Sequence, residues 1–126
     1  MKTDLVEIFQ TIRANLQPYT ASGFTARVNS DTAYELWSEK LFDANGEKIE
    51  VQPFASVSIE GEVLSFCILS IDQEIDLNKV MHPDLVQLSP NGDSCFDIDK
   101  IDDKLLDHII NALGVNFTHF KQKGWV

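Results

Sequence analysis

The stretch Ile49-Glu50-Val51-Gln52-Pro53-Phe54-Ala55-Ser56-Val57-Ser58-Ile59-Glu60-Gly61-Glu62-Val63-Leu64-Ser65-Phe66-Cys67-Ile68-Leu69-Ser70-Ile71 decides how this chain folds. Ile49, Val51, Pro53, Ala55, Val57 and Ile59 take alternate positions. Glu50, Gln52, Ser56, Ser58 and Glu60 lie between them, and Phe54 is the one interruption. Strand side chains alternate between two faces, so the pattern predicts a long half-buried strand. Pro53 has no N–H to give to a ladder, which predicts an edge position or a bulge. Glu60-Gly61 predicts a tight hairpin turn. Val63 to Ile71 is apolar on both faces and predicts a central strand.

Upstream, Leu5, Ile8, Phe9, Ile12 and Leu16 recur at spacings of three and four, one apolar stripe of a helix over about 4–16. Asp4 is placed to cap it with Glu7 as a capping-box partner, and Pro18 ends it. Phe24, Ala26 and Val28 alternate as a short strand. Tyr34 to Trp37 fits a strand and a helix equally. Asp43-Ala44-Asn45-Gly46 predicts a turn, without the further oxygen ligands of a calcium loop. Downstream, Asp72 to Leu88 predicts short helical turns broken at Pro83, and Ser89 to Asp93 a loop. Cys95 to Ile98 predicts a last short strand. Ile101, Leu105, Ile109, Leu113, Phe117 and Phe120 then step along one helix over about 102–122, with Gly114 off the stripe. Alternation sends Phe96 and Ile98 into the core and Cys95 and Asp97 to the opposite face. Helix, strands joined by short turns, then helix is an α+β pattern.

The chain has 126 residues, the size of one domain, so residues 1–126 are expected to fold as a single unit. The formal charge is −10, from 20 acids against 10 basic residues. That excludes binding to a nucleic-acid backbone, which Lys and Arg drive, and disfavours anionic membrane surfaces. No stretch approaches a membrane span, and Met1 to Glu7 has no apolar leader core. With only Cys67 and Cys95, the chain is not a disulfide scaffold. Both are expected to be buried reduced thiols in a cytoplasmic protein.

No phosphate loop or nucleophile elbow occurs. His108 and His119 are eleven residues apart on one predicted helix, about 16 Å along its axis, and cannot share a metal ion. His82 before Pro83 reads as a turn residue. Cys67 and Cys95 can meet across the sheet, yet two thiols without a close histidine make a poor zinc site. Cys95 with His108 as nucleophile and base is the one enzyme reading. The stronger signal is acidic: Asp97, Asp99, Asp102 and Asp103 fall at a strand end and a helix start, where carboxylates can hold a hard cation. Capping by Asp102 and Asp103 and solvation of Asp97 and Asp99 account for the same residues, with Lys100 and Lys104 partly neutralising them.

Asn91-Gly92-Asp93-Ser94-Cys95-Phe96, then Asp102-Asp103-Lys104-Leu105-Leu106, then Phe117-Thr118-His119-Phe120-Lys121-Gln122-Lys123-Gly124-Trp125, together with the hairpin Pro53-Phe54-Ala55-Ser56-Val57-Ser58-Ile59, resemble the YdhG-like family. This is the bacterial group called domain of unknown function 1801. Its pattern has lysine where this chain has Asp93, so any anion-binding role of that lysine is lost. The resemblance implies an α+β fold with an approximately five-stranded antiparallel sheet, one face covered by the N- and C-terminal helices. It also implies a strand at Tyr34–Trp37. Some relatives are described as frataxin-like iron chaperones. The expectation is a small cytoplasmic binding or interaction domain without catalytic activity. The alternative is an iron (hard cation) carrier using Asp97, Asp99, Asp102 and Asp103. An unidentified protein, a small ligand and a second copy of the chain stay open as partners.

Overall fold

The computed structural model describes residues 3–39, 42–44, 47–49, 52–68, 82–90 and 95–126. Asp4 accepts hydrogen bonds from the amides of Val6 at 2.8 Å and Glu7 at 3.4 Å, satisfying donors that a helix start leaves over. Helix α1 then runs Leu5–Leu16 and buries Ile8, Phe9, Ile12 and Leu16. A 3-10 turn over Gln17–Ser22 carries Pro18 in its first positions, where the missing N–H costs nothing.

Five strands form one antiparallel sheet, in the order β1 (Phe24–Asn29), β2 (Ala33–Ser38), β5 (Gln52–Glu60), β6 (Val63–Ile68) and β7 (Cys95–Asp97). β3 (Phe42–Ala44) and β4 (Glu47–Ile49) pair separately as two strands, with Ala44 opposite Glu47. Residues 45–46, where the turn is expected, lie outside the described residues, as do most of the helical turns expected before Pro83, the expected loop after Pro90, and Leu69 to Ile71. α2 (Pro83–Val86) and α3 (Asp103–Lys123) are the other α-helices among the described residues. α1 and α3 both lie against β5 and β6, so the two terminal helices cover one face of an α+β sheet. Tyr34–Trp37 is a strand.

Of the predicted long strand, Ile49 belongs to β4 and Gln52–Glu60 form β5, while residues 50–51 lie outside the described residues. β5 is an inner strand, so Pro53 is not at an edge. The ladder with β2 shifts instead: Leu36 faces Ala55 and Trp37 faces Pro53, which leaves Phe54 unmatched in a bulge. The bulge also reverses the alternation. Ala55 and Val57 are buried beyond it, whereas Gln52 and Phe54 are buried before it. The Phe54 that looks out of phase is therefore a core residue. Its carbonyl accepts a 3.3 Å hydrogen bond from the buried Asn116 amide of α3. Predicted to be apolar on both faces, β6 buries only one: Leu64, Phe66 and Ile68 are inside, while Val63 is exposed.

Phe54 stacks on Phe24 with ring centres 4.2 Å apart and meets Phe120 edge-on at 5.3 Å. Tyr19 closes this cluster against Phe54 at 5.2 Å. Burial holds both the Tyr19 and Tyr34 hydroxyls above the ordinary phenol range, for Tyr34 against the opposing pull of the Arg13 guanidinium. α3 ends on Gly124 at φ 74, and the Trp125 amide turns back to the Phe120 carbonyl at 2.9 Å. The Ser38 hydroxyl donates to the Trp125 carbonyl and ties the chain end to β2. Gly23 follows the 3-10 turn at φ 112, and a Cβ there would lie 2.6 Å from the Val126 side chain. Gly23→Ala is accordingly expected to cost about 2 kcal/mol through backbone strain, read as a lowered thermal midpoint. Val126→Ala in the same background should recover only the part due to the side-chain contact. An unchanged midpoint for Gly23→Ala would contradict this account.

Candidate functional site

Two connections shape the end of the sheet beside β7. The Asp97 amide donates to the Leu88 carbonyl and the Ile98 amide to the Leu64 carbonyl, each at 3.0 Å. They fasten the chain between β7 and α3 to the turn after α2 on one side and to β6 on the other. Leu85, Phe96, Ile98 and Ile101 are buried beneath it. Their polar neighbours are left on the surface around a cleft of about 260 Å³, lined by Asp84, Asp99, Asp102, Lys100, Lys104 and His108 together with Gln87, Leu88 and Leu105.

Of the four predicted carboxylates, Asp99 and Asp102 line this cleft. Asp102 is the N-cap of α3, and one of its oxygens accepts from the Leu105 amide at 2.8 Å, which leaves the second oxygen for a ligand. Asp97 stands opposite Ser65 on the sheet, exposed, and outside the cleft lining. Asp103 is exposed in the first turn of α3 and is likewise outside it. Its charge there favours the positive helix end. The acidic run thus splits into two residues at the cleft and two away from it.

Two residues of the lining, Asp84 and His108, meet a third that does not itself line the cleft, His82. His82 caps α2: its Nδ1 accepts from the Asp84 amide at 3.0 Å. The His82 and His108 rings lie 3.8 Å apart and 9° from parallel. One Asp84 carboxylate oxygen is 3.7 Å from His82 Nδ1 and 3.9 Å from His108 Nε2. Nδ1 cannot accept from the amide and donate to the carboxylate at once, so the first contact is an ion pair only when protonation breaks the cap. His82, Asp84 and His108 come from α2 and α3, and only the packing of those helices unites them. The one local sign was His82-Pro83-Asp84, a capping position followed by a proline at a helix start. His119, in contrast, is buried edge-on to Trp125 at 5.4 Å and belongs to the packing of the chain end.

The cysteine expectation is corrected. Cys67 and Cys95 stand directly opposite each other on β6 and β7, with Cα atoms 4.1 Å apart, and form a disulfide. Cys95 and Asp97 do turn away from Phe96 and Ile98, as alternation predicts. Pairing Phe66 with Phe96 brings the flanking cysteines together on the outer face. A bonded sulfur has no thiolate, so the Cys95–His108 nucleophile reading loses its nucleophile.

Among the described residues no helix is long and apolar enough to cross a membrane. In comparisons with known proteins, no family model matches the chain, and neither a curated protein nor a solved structure is similar to it.

Proposed function

We propose that the chain is a small non-enzymatic binding domain, of the YdhG-like kind that its hairpin and C-terminal motifs resemble, with the cleft between α2 and α3 as its ligand seat. The observation that carries this reading is the convergence of Asp84 from one chain segment with Asp99, Asp102 and His108 from another on one open cleft. Three carboxylates against Lys100 and Lys104 suit a cation or a positively charged group. A binder is favoured over a catalyst because the described lining offers no serine, threonine or cysteine beside His108 to act as nucleophile. The cytoplasmic expectation draws on reduced thiols as well as on the lack of an apolar leader core. The Cys67–Cys95 bond counts against it, since disulfides persist mainly in oxidising compartments.

A second reading, the hard-cation (iron) carrier, is favoured by Asp99 and Asp102 sharing the cleft. It is narrowed, because Asp97 and Asp103 lie elsewhere. Manganese(II) titration followed by paramagnetic broadening of backbone amide signals tests the seat. Broadening is expected first around residues 99–108, and Asp99→Asn with Asp102→Asn should abolish it, since both substitutions remove charge and keep shape. No selective broadening up to roughly millimolar ion, the weak end of protein calcium sites, would remove the cation reading.

A further inference from the structure

We infer that His82, Asp84 and His108 form a binding site for a borderline divalent metal ion such as zinc. This rests on the reading of the cleft as a ligand seat and names the ion that two of its lining residues, Asp84 and His108, select together with His82 beside them.

One donor atom from each of the three residues lies within 4.8 Å of the other two. Donors about 2.0–2.1 Å from a tetrahedral zinc are about 3.4 Å from one another. The spacings of 3.7 Å and 3.9 Å from the Asp84 oxygen to the two imidazole nitrogens are thus a few tenths of an ångström too wide. Rotamer adjustment supplies that closure, because the side chains of His82 and Asp84 are 47% and 63% exposed. His108, at 23%, is the more fixed ligand, held on the long helix α3. Imidazole nitrogens favour zinc, nickel and copper, whereas carboxylates alone favour magnesium, calcium and manganese. Two nitrogens and one oxygen place this set in the first group, while the Asp99–Asp102 wall belongs to the second. Three protein ligands leave the ion an open position for water or a further ligand.

Two local costs mark the event. Parallel rings 3.8 Å apart direct their in-plane lone pairs side by side, so one ring must turn for both to reach a common ion. His82 Nδ1 already accepts from the Asp84 amide, and an ion taken at Nδ1 displaces that cap. Metal binding therefore exchanges the first hydrogen bond of α2 for a bridge from α2 to α3. The Asp84 amide reports on it directly.

The test is calorimetry of the whole disulfide-bonded chain with zinc chloride, with cobalt(II) absorption as a spectroscopic check and amide spectra for placement. One zinc per chain is expected, with a large shift of the Asp84 amide and loss of the imidazole stacking. Removing a ligand should cost at least what removing a ligand's hydrogen-bond partner costs, so His108→Ala should weaken zinc binding about 100-fold or more. His82→Asn should do the same while keeping a good capping side chain, so that α2 is not lost with the imidazole. Zinc affinity unchanged in both variants overturns the site, even if manganese still binds at Asp99 and Asp102. Zinc binding lost in both variants, with manganese indifferent to Asp99→Asn and Asp102→Asn, upholds the site and removes the hard-cation reading. No zinc bound by the wild-type chain removes the site outright.

Discussion

Phe54→Ala is expected to lower the stability of this protein by about 4 kcal/mol, within the range for deleting a buried phenylalanine. The ring is fully buried, stacked on Phe24 at 4.2 Å and edge-on to Phe120 at 5.3 Å. Removing it forfeits the transfer term and opens a cavity between β1, β5 and α3. These three elements close the sheet under the C-terminal helix, and the Phe54 carbonyl is tied to Asn116 of that helix, so relaxation into the cavity is restricted. Domains of this size are stable by roughly 5–15 kcal/mol, so the variant stands near the edge of folding at ordinary temperature. With a urea slope of about 2 kcal/mol per molar, the midpoint should fall by roughly 2 M. Val63→Ala, in the same hairpin at a residue 47% exposed, is the control. It should change stability by no more than about 0.5 kcal/mol. Comparable losses in the two variants would show that Phe54 does not sit in the core and that the bulge is misplaced.

Reduction of Cys67–Cys95 is expected to cost up to about 3.5 kcal/mol, the chain-entropy value for a loop of this size. The two cysteines are 28 residues apart in sequence. Opening the link lets the unfolded chain expand, which is the usual account of such a loss. Among the described residues β7 has three ladder partners on β6, so the link adds to what holds this strand in place. Urea unfolding with and without dithiothreitol reads the difference. A thiol reagent should find no reactive cysteine in the untreated protein and both after reduction in denaturant. Cys67→Ser with Cys95→Ser should reproduce the reduced midpoint and then be insensitive to reductant. Two titratable thiols in the native, untreated chain would refute the bond.

The consequence for the site is indirect. Residues 98–102, which carry Asp99 and Asp102 to the cleft, continue from β7 without a break. A freed β7 should therefore loosen the Asp99 wall more than the His82–Asp84–His108 set, which is built on α2 and α3.

How far each feature was legible before folding depends on the range of the interaction behind it. The stripe Leu5 to Leu16, the stripe Ile101 to Phe120, the caps Asp4 and Asp102 and the turn at Gly61 are all local. Helical and strand periods and capping bonds join residues a few positions apart, so residue order alone determined these elements and the α+β class. The inward turn of Phe96 and Ile98 followed in the same way. The burial of Phe54 and Gln52 did not: it depends on the unmatched position opposite β2, and a bulge shift changes the face of every residue beyond it. The Cys67–Cys95 bond, where reduced thiols are expected, escapes the sequence for a related reason. Alternation gives each cysteine a face, and only the β6–β7 register sets which residue stands opposite it. The division of the acidic run into Asp99 and Asp102 at the cleft, with Asp97 and Asp103 outside, and the meeting of His82 and Asp84 with His108, were decided by the packing of α2 against α3. Contacts between helices far apart in sequence come from burial of their apolar faces, and the polar groups on their rims carry no periodic sign of whom they will face.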